Sequence, residues 1–155
     1  MKFTNEVTIH KSREEVWEIF DNPENLKEWQ PTLQHYEPER GRVGQEGSVM
    51  RLTYVEDGEE TVLVETVAHR KEPEELSSTF ESDTVRNEMN NRFVEEAADR
   101  TLWILDSEFV FEEPLPEDSV PFVREAIESR IREDMQRFKA VVESQEADGS
   151  GRPPL

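Results

Sequence analysis

Four amide and hydroxyl side chains occupy strand positions that the surrounding pattern gives to apolar residues. In "VRNEMNNRFVEE" (residues 85–96), turning Met89 and Phe93 inward carries Asn87 and Asn91 with them. Arg86, Glu88, Asn90, Arg92 and Val94 are then left on a nearly all-polar outer face. Asn5 lies on the apolar phase of Phe3, Val7 and Ile9, and Ser107 shares a phase with Trp103, Leu105, Phe109 and Phe111. Asparagine is depleted in strands because its amide competes for backbone hydrogen bonds. A buried amide without a partner costs about 1–3 kcal/mol, so these groups must bind water, a ligand or one another. The chemistry they offer is orientation of a polar group, or donation to a developing oxyanion; an asparagine is a poor general base. Two readings of Asn87 and Asn91 stand: a polar wall inside a pocket, or amides exposed at a cavity mouth or absorbed by a bulge. For Asn5 and Ser107, structural pairing stands beside a ligand-facing patch.

Other chemistry-bearing residues are less well placed. His10, His35 and His69 fall in separate elements without metal-ligand spacing, so no metal site is expected. Glu65 and His69 share a strand phase, but four residues span about 13 Å, too far for direct contact. Acid pairs such as Glu14–Glu15, Glu59–Glu60 and Glu95–Glu96 sit at helix starts and turns and read as solvated. The glycines of "GRVGQEG" make neither a dinucleotide fingerprint nor a phosphate loop and read as a turn; no cofactor is expected.

The elements that must hold these groups follow from periodicity. An alternating strand at the N-terminus leads into "SREEVWEIF", where Ser12 and Glu15 form a capping box and Val16, Ile19 and Phe20 a helical stripe. Pro23 opens a second short helix that Pro31 ends. Six strands follow, near 33–41, 47–56, 60–71, 75–82, 85–96 and 100–112, separated by turn signals. Val120, Val123, Ile127, Ile131, Met135, Phe138 and Val142 then repeat at helical spacing, with Pro121 in the first turn and Arg137 and Lys139 towards the end. The expected fold is α+β, a curved antiparallel sheet of about seven strands wrapped on one long helix, and the space between them is where a pocket would form. Residues 1–145 form this domain, and 146–155 are expected to be a flexible tail.

Composition narrows the function classes. The chain of 155 residues carries 37 acids against 18 bases, a formal charge of −19, which repels phosphate backbones and anionic headgroups. Nucleic acid is therefore not an expected partner. The 13 arginines and 5 lysines suit a concentrated-salt cytoplasm as well as they suit an ordinary acidic protein. No cysteine is present, which removes disulfides, thiolate metal sites and cysteine nucleophiles. No window reaches membrane-spanning length and no signal-peptide core is seen, so a cytoplasmic protein is expected.

The segment "SREEVWEIFDNPENLKEWQP", with Ser12, Val16, Trp17, Asp21, Pro23, Trp29 and Pro31, resembles the opening of the START-like helix-grip superfamily (SRPBCC), most closely its polyketide cyclase/dehydrase-like branch. "EEAADRTLW", with Thr101 after the turn, resembles the hairpin into that family's last strand. The resemblance covers about residues 2–143 and implies a deep cavity holding a small hydrophobic or aromatic molecule, lipid- or polyketide-like. It also implies that the first and last strands are neighbours. The superfamily includes lipid carriers, aromatic polyketide cyclases, hormone-binding proteins and co-chaperone activators, and shares no catalytic motif, so Trp17 and Trp29 carry over as fold markers only. The expected ligand contacts are Asn5, Trp29, Tyr54, Asn87, Met89, Asn91, Trp103, Ser107, Met135 and Phe138. An enzymatic form would be cyclase- or dehydratase-like. The other class of reading is a co-chaperone-like interaction module acting through its acidic surface. Monomer and homodimer are equally compatible with the sequence.

Overall fold

A computed structural model describes residues 1–145; the expected tail, 146–155, lies outside the described residues. Strand β1 (Lys2–Ile9) alternates as its sequence does, with Phe3, Asn5, Val7 and Ile9 buried. Helix α1 (Arg13–Asp21) begins at the Ser12–Glu15 capping box, in which each side chain bonds the other's backbone N–H. A 3₁₀ turn at Pro23–Asn25 leads into the single turn of α2 (Leu26–Trp29). Six strands follow: β2 (Leu33–Arg40), β3 (Val49–Glu56), β4 (Glu59–Lys71), β5 (Glu75–Glu81), β6 (Val85–Ala97) and β7 (Arg100–Phe111). Helix α3 (Val120–Glu143) closes the described chain, about 36 Å long.

All seven strands form one antiparallel sheet, in the order β1-β7-β6-β5-β4-β3-β2. Its curved face wraps α3, and β1 and β7 are neighbours as the family resemblance implied. Burial follows strand phase: Phe93, Trp103 and Leu105 meet Ile131, Met135, Phe138 and Val142 of α3. Phe20 stands at the centre of an aromatic cluster, with ring centroids 5.0 Å from Phe93, 5.8 Å from Trp103 and Phe138, and 6.1 Å from Trp29. Thr101, fully buried, donates from Oγ1 to the Lys11 carbonyl at 2.8 Å and so pins the entry of α1 to β7.

Two expectations change. A register shift between Val67 and His69 turns His69 to solvent, beside Glu46 and Glu75, so Glu65 and His69 do not share a face. Arg137 and Lys139 do not complement the end of the α3 dipole, since the last turn holds no basic residue. Arg137 instead donates to the Trp29 carbonyl at 3.2 Å, and Lys139 to the Thr8 carbonyl at 2.5 Å, stapling α3 to α2 and β1.

Candidate functional site

A cavity of ≈150 Å³ lies between the concave face of the sheet and helices α2 and α3. Met50, Leu52 and Tyr54 reach it from β3, Glu65 and Val67 from β4, Leu76, Ser78 and Phe80 from β5, and Met89 and Asn91 from β6. Trp103 of β7, Trp29 of α2, and Ile131, Asp134 and Met135 of α3 complete most of the lining. Apart from Val49 at the start of β3, the strand contributors sit on one phase, because period-two alternation offers that set to the inner face.

One side of the cavity is built by contacts between distant segments. Arg70 donates to both Asp21 carboxylate oxygens, at 2.6 and 2.8 Å, and to the Gly44 carbonyl at 3.0 Å. Its guanidinium also lies 5.2 Å from the Trp17 ring centroid. Asp21 and Gly44 both border the cavity, so Arg70 holds the end of α1 against the β2–β3 loop. Gly44 has φ +84°, and a Cβ there would stand 3.0 Å from Arg70 Nη1 and 3.1 Å from Asp21 Oδ1; the glycine admits the ion pair. At the neighbouring corner Tyr54 donates to Gln30 Oε1 at 2.8 Å.

Asn91 joins the polar and aromatic parts of the wall. Its Oδ1 accepts from Trp103 Nε1 at 3.0 Å, and its Nδ2 donates to the Leu76 carbonyl at 3.4 Å. The amide is 8% exposed and the indole 1% exposed, so each satisfies the other away from water. Asn91 therefore orients Trp103 as well as bordering the cavity.

The ionisable groups of the site are unusual in environment. Burial pushes the Glu65 carboxyl above the usual carboxylate range, opposed by the nearby Ser78 hydroxyl. That hydroxyl is only 4% exposed, yet it forms no hydrogen bond of good geometry with Glu65 or with any other described group. Glu65 is partly exposed and lines the cavity. Burial also raises Asp134, opposed by Arg137, which donates to it at 2.5 Å. Tyr54 is raised by burial first and then by the negative charges of Glu65 and Asp134, which keeps its hydroxyl a donor at neutral pH. No group of three His, Asp or Glu among the described residues is placed to hold a metal ion.

Of the expected ligand contacts, Trp29, Tyr54, Met89, Asn91, Trp103 and Met135 line the cavity. Phe138 is fully buried in the aromatic cluster behind it. Asn5, Asn87 and Ser107 lie outside that lining, on β1, β6 and β7. The β1–β7 register sets Phe3 opposite Ser107 and Asn5 opposite Leu105, and the β6–β7 register sets Asn87 opposite Phe109, so Ser107 is the diagonal neighbour of Asn5 on one side and of Asn87 on the other. All three are buried, and Asn5 Nδ2, Asn87 Oδ1 and Ser107 Oγ have no hydrogen-bond partner among the described residues. Gln30, Glu65, Ser78 and Asp134 border the cavity without having been expected there. Glu65 carried a usable signal: it shares the phase of Leu63 and Val67, the same pattern that singled out the asparagines. Gln30, next to Pro31 at the end of α2, carried none.

Comparison with known proteins places this architecture. Its neighbours among solved structures include the Zhui aromatase/cyclase from Streptomyces sp. R1128, at TM-score 0.80 and 17% identity, covering 96% of this chain and 98% of that one. A START superfamily protein from Mycobacterium smegmatis is similar at TM-score 0.76 and 19% identity, over 92% and 97% of the two chains. Ara h 8.0201 aligns at TM-score 0.76 and 18% identity, over 94% and 99%. At these identities the likeness is one of fold. No curated protein matches the sequence. The family model described as polyketide cyclase / dehydrase and lipid transport matches residues 1–143, and the chain belongs to that family.

Proposed function

We propose that the protein binds a small, largely apolar molecule of single-ring size between the sheet and α3. The observation that carries this reading is the lining: aliphatic, aromatic and thioether side chains with a few polar groups among them, Tyr54, Glu65 and Ser78. That is the composition of small-molecule sites. An apolar space of ≈150 Å³ accepts about one benzene ring. Met50, Met89 and Met135 are soft and adaptable, which suits a wall that must yield to a guest. Family membership supports a hydrophobic ligand, and the cysteine-free acidic composition supports a cytoplasmic setting.

Chemistry on the bound molecule would need a proton donor and an acceptor both facing it. Glu65 faces the cavity unpaired, but Asp134 is committed to Arg137, so binding is the reading the geometry supports best. An interaction module has less to stand on. The exposed large apolar residues among those described, Val94, Val110 and Phe122, lie singly on three different elements.

The four methionines provide the test. In protein labelled with ¹³C at the methionine methyls, toluene should shift the Met50, Met89 and Met135 signals and leave Met1, which lies outside the cavity. Leu76→Trp, which fills the cavity, should abolish the response. Saturating toluene that moves none of the three, or moves Met1 equally, would refute the reading.

A further inference from the structure

The cavity wall is acidic without a compensating base. Asp21, Glu65 and Asp134 border it, and no lysine or arginine does. Two of these carboxylates are already matched, Asp21 by Arg70 and Asp134 by Arg137. Glu65 has no ion-pair partner among the described residues; it is partly buried, and the group that acts on it is the Ser78 hydroxyl. A second feature lies beside it. Ser78, 4% exposed, presents an unpartnered hydroxyl to the same cavity. Unpartnered buried polar atoms are uncommon in native proteins, and one beside a carboxyl that lacks an ion pair, both facing one apolar space, marks the point where a polar group of a guest is received.

The sign of that polar group follows from the surroundings. A carboxyl removed from water gains most from a cation that enters with it, because the pair restores the charged form that burial disfavours. The rings of Trp29, Tyr54 and Phe80 line the same cavity, and the face of an aromatic ring attracts a cation rather than an anion. The overall charge of −19 draws cations towards the molecule and repels anions. Resting on the proposed function of the cavity, we infer that the ligand is a hydrophobic amine of single-ring size, its ammonium received by Glu65 and Ser78 and its hydrocarbon body by the apolar wall.

Three molecules of similar skeleton separate the possibilities: 2-phenylethylamine as the cation, 2-phenylethanol as the neutral form and phenylacetate as the anion. Affinities are read from the methionine methyl signals at neutral pH. The amine should bind roughly tenfold more tightly than the alcohol, the advantage of a charge-assisted hydrogen bond over a neutral one, and phenylacetate should bind worst. Glu65→Gln should bring the amine down to the level of the alcohol while leaving alcohol binding within roughly twofold, which also reports that the variant is folded. Ser78→Ala should reduce the preference without removing it. An amine no tighter than the alcohol, or an amine preference that survives Glu65→Gln, overturns the amine assignment and leaves the cavity reading standing. If none of the three molecules nor toluene shifts the cavity methionines, both readings fall.

Discussion

Replacing Asn91 by leucine removes one hydrogen-bond acceptor from the interior and tests whether this residue holds the wall or merely borders it. In the native protein its Oδ1 takes the Trp103 indole N–H at 3.0 Å, with the indole 1% exposed. Leucine has similar bulk and no acceptor, so the N–H would stay buried without a partner. The cost of such an orphan is about 1–3 kcal/mol. The second bond, Asn91 Nδ2 to the Leu76 carbonyl, is long at 3.4 Å and adds little. For a chain of this size each kcal/mol lowers the melting temperature by roughly 2–4 °C, so Asn91→Leu should melt roughly 2–12 °C below the parent. Differential scanning calorimetry measures this, and a double-mutant cycle with Trp103→Phe isolates the pair. Against the phenylalanine background, Asn91→Leu should cost less by about 1 kcal/mol, because no indole N–H remains to be orphaned. A melting temperature within ~1 °C of the parent in both backgrounds would show that the indole bond orients nothing.

Glu65 should make stability fall as pH rises. Its folded carboxyl is raised above the unfolded value, so the native state binds more protons between the two. The stabilising contribution is complete below the unfolded pKa, near 4.5, and is lost as pH climbs through the folded value. Urea denaturation between about pH 5 and pH 8 should show this slope in the parent and a shallower one in Glu65→Gln, where Asp134, raised in the same direction, alone remains. Arg70→Met should lower stability by roughly 1.5–3 kcal/mol in the same assay, since Arg70 is 10% exposed and makes charged hydrogen bonds to Asp21. Thr101→Val, nearly isosteric, should cost about 1 kcal/mol and roughly 2–4 °C, because the Lys11 carbonyl loses the donor that holds α1 on β7.

How much of this could be read from the chain depends on the range of the physics involved. The Ser12–Glu15 cap, Pro121 at the start of α3 and the strand phases are local, and the structure has them where the pattern put them. Asn5, Asn87, Asn91 and Ser107 all face inward for the same reason, since alternation at period two depends on the backbone alone. What alternation does not contain is position across the sheet. Asn87 and Asn91 share a strand and a phase, yet Asn91 meets Trp103 at the cavity while Asn87 sits opposite Phe109 and diagonal to Ser107. That separation is set by the order β1-β7-β6-β5 and by where α2 and α3 cover it.

Glu65 makes the same point from the opposite direction. Its phase was legible in Leu63 and Val67, but one register shift later in β4 sends His69 outward, and no residue type at 67–69 announces that shift. Composition and periodicity by themselves determined the class of fold, its elements and the inward set of polar groups, because these depend on neighbours a few residues apart. Tertiary structure alone decided that Asn91 bonds Trp103 and that Glu65 has no ion-pair partner among the described residues. Partnership is a matter of distance across strands and helices far apart in sequence, and only the assembled sheet and helix fix it.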